Sequence, residues 1–159
     1  MTDFFSSEEQ LTAATLDNAG FKNGFGYEDW VRWEGREVEG LFGVPDVVVA
    51  FGKRGSRGQR IVRTFAFEVK RHNWRRALVQ AFRYAAFAHY SHVVLDAARV
   101  GRALDEIARF ERANIGLISV GVDGAVTWHF RPRFRSPYAP RLHGALNERL
   151  YPYLFGNAA

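Results

Sequence analysis

Residues 64–71, TFAFEVKR, follow residues 44–51, VPDVVVAF, after a short basic stretch, and both carry charge where burial is expected. Their Val, Phe and Ala content suits strands buried in a sheet, yet they include Asp46, Glu68 and Lys70. Side chains alternate across a strand, so Phe65, Phe67 and Val69 share one face while Ala66, Glu68 and Lys70 share the other. The glycines and polar residues of GKRGSRGQ, 52–59, mark a loop joining strands at 44–51 and 61–70. If the two strands run antiparallel, about 5 Å apart, Asp46 near the start of one lies beside Glu68 near the end of the other. Two carboxylates and an ammonium then converge at one sheet edge. Two close carboxylates repel unless a cation sits between them, and oxygen ligands with open positions suit Mg²⁺ or Mn²⁺. Such an ion polarises a phosphate and activates a bound water. A neighbouring lysine can position that water, help deprotonate it or stabilise developing charge.

Upstream, SSEEQLTAATLDNAG, 6–20, offers Ser6 or Ser7 as a cap, acidic residues in the first turn, and Gly20 as a stop, which predicts a helix over 7–19. EDWVRWEGREVEG, 28–40, suits a strand or hairpin, so an antiparallel meander is expected through residue 70. Trp30 and Trp33 read as core positions of that strand, with base stacking as the alternative. NWRRALVQAFRYAAFAHY, 73–90, reads as a helix capped by Asn73, with Trp74, Leu78, Phe82 and Ala85 recurring at helical spacing and Ala77, Ala81 and Ala88 keeping other faces slim, so burial against a sheet on one side and another element on the other is expected. SHVVLDA, 91–97, completes a strand, helix, strand crossover. Residues 100–114 read as an amphipathic helix with Leu104, Ile107, Ala108 and Phe110 inward, and 115–130 as a hairpin about Asp123 and Gly124. After the extended basic stretch RPRFRSPYAP, 131–140, Leu142, Leu146 and Leu150 form one helical stripe. It predicts a terminal helix docked on its own domain, with a dimer contact as the alternative.

The 159 residues fit one domain, 47% hydrophobic and 25% charged. No apolar run reaches the roughly 18 residues of a membrane span. The start, MTDFFSSEEQ, lacks the features of a signal peptide, and the absence of cysteine fits a cytoplasmic chain with neither disulfides nor thiolate metal sites. A net charge of +5 favours a polyanionic partner, nucleic acid before membrane. The basic residues are nearly all arginine, with Lys22, Lys53 and Lys70 the only lysines. Arg71, Arg75, Arg76 and Arg83 flank the proposed site and suit phosphate contacts, or form a solvated helix face. Lys53, Arg54 and Arg57 suit a loop that clamps a backbone, or a soluble turn. His89 and His92 have H-x-x-H spacing but straddle a predicted helix end with no third ligand, and His129 reads as an ordinary strand residue.

Pro45-Asp46, a gap containing a hairpin loop, then Glu68-Val69-Lys70 resembles the PD-(D/E)XK nuclease superfamily. The likeness covers roughly residues 7–96, and Gln80 and Tyr84 in QAFRY resemble the QxxxY element of RecB-like nucleases. The resemblance implies an α/β fold with a restriction-endonuclease-like core, a central mixed β-sheet flanked by α-helices, to which this chain adds a C-terminal hairpin and helix. It implies Mg²⁺- or Mn²⁺-dependent hydrolysis of phosphodiester bonds, with DNA favoured. Asp46, Glu68 and the Val69 carbonyl would hold the metal, and Lys70 would be the catalytic lysine. Gln80 and Tyr84, at i and i+4, would aim at a phosphate or the attacking water. A further acidic residue belongs on the first helix or strand, where Glu8, Glu9 and Glu34 are available and Glu9 is preferred. The readings from other classes are a non-catalytic binding module on the same fold and a small basic adaptor. A homodimer or larger assembly is compatible with each.

Overall fold

The computed structural model describes residues 3–156. Ser7 caps α1 (Glu8–Asp17), its side chain accepting the Gln10 N–H, and Asn18 then caps the short α2 (Ala19–Lys22). The strands β1 (Val31–Arg36), β2 (Val47–Arg54) and β3 (Arg60–Lys70) form the expected antiparallel meander. The crossover helix α3 (Trp74–Tyr84), capped by Asn73, leads to β4 (Tyr90–Asp96), which pairs parallel with β3. A 3-10 turn, Ala97–Arg99, and the helices α4 (Gly101–Asp105) and α5 (Ile107–Ala113) lead to β5 (Gly116–Val120), parallel to β4. An antiparallel β6 (Val126–Phe130) and the helix α6 (Pro140–Phe155) follow. Spatial order equals chain order, so the molecule is an α/β protein on a six-stranded mixed sheet.

Strand alternation sorts the core into layers. Phe65, Phe67 and Val69 meet Leu11 of α1 and Phe21 of α2 on one face. On the other, Val48, Ala50 and Ala66 meet Leu146, Leu150 and Leu154 of α6, while Val93, Leu95 and Leu117 meet Trp74, Ala77 and Ala81 of α3. Among the described residues no helix is long and apolar enough to cross a membrane.

Several expectations change on folding. Lys53 and Arg54 lie in β2 rather than in a loop, because Lys53 spreads over the Trp30 ring and Arg54 over Phe155. Trp30 and Trp33 are packing residues, the latter against Tyr153. Helix α3 stops at Tyr84 instead of residue 90. The carbonyls of Ala85 and Ala86 accept the N–H groups of Tyr138 and Ala139, while Phe87 turns into the core. Its buried face is Trp74, Ala77, Ala81 and Tyr84, since the small alanines let the helix lie close to the sheet; Phe82 faces outward. The helix expected at 100–114 breaks at Glu106, whose N–H reaches back three residues to Ala103, and Ala108 is exposed. His89 and His92 do not meet: His89 packs against His143 of α6, and His92 against Phe67 on the opposite face. Burial lowers both to about 3, which keeps them neutral. His129 bonds Ser119 within the terminal hairpin.

The terminal helix docks on its own domain. Gly52 of β2 makes room for it, since a Cβ there would lie 2.9 Å from the Leu154 Cβ. Gly52→Val, a good strand former, is therefore expected to destabilise the fold by about 1–3 kcal/mol through overpacking. Denaturant unfolding checks this, and an unchanged midpoint would contradict the seating of α6.

Candidate active site

The β2–β3 register pairs Val47 with Phe67, which sets Asp46 beside Glu68 at the end of the meander. Asp46 fixes that alignment at both ends: its N–H donates to Phe67 O at 3.0 Å, and its Oδ2 accepts the Val69 N–H at 2.7 Å. The Asp46 and Glu68 carboxyls are near enough for the ionisation of each to act on the other. Glu68 is only 4% exposed. Its Oε1 lies 2.5 Å from the Tyr84 hydroxyl, and its Oε2 lies 3.6 Å from Lys70 Nζ.

Burial dominates the electrostatics. It pushes Glu68 up to about 7, with the Asp46 charge adding to the rise and the Tyr84 hydrogen bond and Lys70 opposing it. Asp46 is also raised by burial, against which the Val69 N–H and the Lys70 ammonium work. Glu68 therefore keeps its proton up to about neutrality, and a cation that displaces it meets two ionised carboxylates.

The Tyr84 hydroxyl also lies 3.0 Å from Val44 O. With one hydrogen, it donates either to an ionised Glu68 or, when Glu68 is protonated and donates to it, onward to Val44. Gly43, at φ +76°, lets the loop before Asp46 close against the Tyr84 ring, where a Cβ would lie 3.0 Å from a ring carbon. Gln80 lies one helical turn before Tyr84, and its Oε1 is buried without a hydrogen-bond partner among the described residues.

The N-terminal acids separate cleanly. The Asp96 carboxylate, buried at the end of β4, accepts the N–H groups of Phe5 and Ala98, tying the segment before α1 to this sheet edge. Glu8 then comes within 3.8 Å of Lys70 Nζ and 3.5 Å of Arg71 Nε. Glu9, the preferred residue from the sequence, instead bonds Arg36 at 2.8 Å and is largely exposed, and Glu34 pairs with Arg32. Helical rotation of about 100° per residue turns Glu9 away from the neighbour of Glu8.

The predicted phosphate contacts divide likewise. Arg71 directly follows Lys70 and bonds Ser6 O at 3.0 Å, while Arg75 and Arg76 lie exposed on the first turn of α3. Lys53 and Arg54 sit at the far end of β2, about 23 Å from Asp46 at strand rise, and Arg57 lies in the turn beyond them. The sequence reading missed a cavity of about 480 Å³ lined by His72, Arg99 and Arg102 with Ala98 and Gly101. It opens beyond the carboxyl ends of β3 and β4, where Lys70 is level with Leu95. The predicted crossover from β3 to β4 was the available signal, since parallel pairing brings residues 97–102 to the edge occupied by Lys70.

Among the described residues no group of three or more His, Asp or Glu is arranged to hold a metal ion. The donors at hand are two carboxylates and the Val69 carbonyl. They fit Mg²⁺, which keeps several of its waters and takes one or two protein carboxylates. No protein-family model matches the chain, and no curated protein or solved structure matches it significantly.

Proposed function

We propose that the chain is a metal-dependent nuclease with a restriction-endonuclease-like core, of the PD-(D/E)XK type, hydrolysing phosphodiester bonds in nucleic acid, DNA in the first place. The observation that carries this reading is the meeting of Asp46, Glu68 and Lys70 at one sheet edge, with one carboxyl held high by burial. Asp46, Glu68 and the Val69 carbonyl would hold Mg²⁺ or Mn²⁺. When bound, the ion supplies phosphate polarisation and activation of water. Tyr84 orients Glu68 and takes up the change in its protonation through Val44 O. Lys70 sets a positive charge beside the pair, where it can steady a water or the charge that builds on the phosphate. Gln80 offers a buried acceptor on the same helix face as Tyr84, and Glu8 orients Lys70. Arg71 and the His72, Arg99 and Arg102 cavity supply positive charge for the flanking backbone.

Labelled single-stranded, double-stranded and branched substrates incubated with Mg²⁺ or Mn²⁺ test the reading. Cleavage is expected on at least one of them, lost on chelation and in Asp46→Ala. Binding without cleavage across the set would leave the non-catalytic module on this fold.

A further inference from the structure

We propose that the exposed arc of α3 and the loop at 41–44 form a stacking ledge for unpaired nucleotides, so that the site takes a single-stranded segment; this rests on the nuclease reading above. Phe42, Val79, Phe82 and Tyr138 expose 45%, 58%, 47% and 51% of their surface, although each is large and apolar. They are not scattered. Tyr138 stacks on Phe82 at 6.1 Å, and the Arg83 guanidinium lies over the Phe42 ring at 5.7 Å. At about 100° per residue, one continuous arc of α3 runs from Phe82 through Arg75, Val79, Arg83 and Arg76 to Gln80 and then Tyr84. Tyr84 touches Glu68, and the loop bearing Phe42 leans on Tyr84. The ledge is thus continuous with the edge that holds the carboxylates.

Charge selects the occupant. Arg75, Arg76 and Arg83 pair with no carboxylate among the described residues, so an apolar protein surface laid on this arc would cover uncompensated cations. A polyanion neutralises them. A duplex keeps its base faces stacked inside and offers only phosphates and groove edges, which leaves the exposed rings without partners. An unpaired strand offers both phosphates for the arginines and base faces for Phe42 and Phe82. Such stacking tolerates any base sequence.

Fluorescence anisotropy in Ca²⁺ with oligothymidine, an abasic strand of equal length and a duplex tests the ledge. The wild type is expected to bind oligothymidine more tightly than either of the others. The double variant Phe42→Ala, Phe82→Ala should lose on the order of 10-fold or more on oligothymidine and little on the abasic strand, with Phe→Trp at both positions restoring affinity. Equal losses on both strands, a preference for duplex, absence of binding, or a dimer that Phe82→Ala dissociates would each overturn the proposal. The parent reading fails separately. Asp46-dependent cleavage confined to duplex would sink the ledge and keep the nuclease, whereas ring-dependent binding of oligothymidine without cleavage of any substrate would keep the ledge and sink the nuclease.

Discussion

Lys70→Ala is expected to bind nucleic acid in Ca²⁺ about as tightly as the wild type, while single-turnover cleavage in Mg²⁺ falls by about 10²- to 10³-fold, or roughly 3 to 4 kcal/mol. The side chain is half-buried and lies between two carboxylates, 3.6 Å from Glu68 and 3.8 Å from Glu8. On the proposed function, ground-state phosphate contacts would come from Arg71, Arg99 and Arg102, so one lost ammonium would change affinity little. A positioned charge beside the reacting phosphate acts mainly in the transition state. A purely structural role would cost stability and leave the pH profile in place. The rate profile of the variant is expected in addition to shift to higher pH, because the Lys70 charge lowers both Asp46 and Glu68. Equal loss of binding and cleavage, with an unmoved profile, would contradict the catalytic role.

Glu68 gives the second large effect. Its folded-state value, about 7, lies above its ordinary 4.5, so the folded state holds the proton more tightly than the unfolded chain. The resulting stabilisation of the metal-free protein is fully present below about pH 4.5 and is lost as pH rises through about 7. Its size is on the order of 3 kcal/mol. Glu68→Gln, which cannot ionise, is expected to melt higher than metal-free wild type at pH 8 and to lose this part of the pH dependence. Mn²⁺ should reverse the order at pH 8, because it binds the ionised pair and stabilises only the wild type. Thermal melts of both proteins across pH 4 to 9, with and without Mn²⁺, measure this. Parallel curves would show that Glu68 is not the group held protonated.

The meander and the convergence of Asp46 with Glu68 were legible because a period-2 pattern fixes faces and an antiparallel pair fixes neighbours. The three charged residues mark one end of the β2–β3 pair. Helix α3 misled because both of its faces carry apolar residues. Trp74, Ala77, Ala81 and Tyr84 proved to be the packed face, with Leu78 partly buried against it and Val79 and Phe82 exposed, and only the closeness of the sheet decides that. Glu8 and Glu9 could not be separated from sequence, since the choice depends on Asp96 anchoring Phe5 from 91 residues away. The cavity of Arg99 and Arg102 likewise exists only through parallel pairing of β3 with β4. The hairpin cations were placed by composition, which carries no information about which end of a strand faces the site.

The most direct test of the metal-centred account is calorimetric titration of Mn²⁺ into the nucleic-acid-free protein, wild type against Asp46→Ala. Binding in the wild type is expected to tighten by about 10-fold from pH 6 to pH 8, as the proton held by Glu68 near pH 7 is displaced, and to be lost in the variant. Equal Mn²⁺ binding by both proteins, or none by the wild type at pH 8, would contradict it.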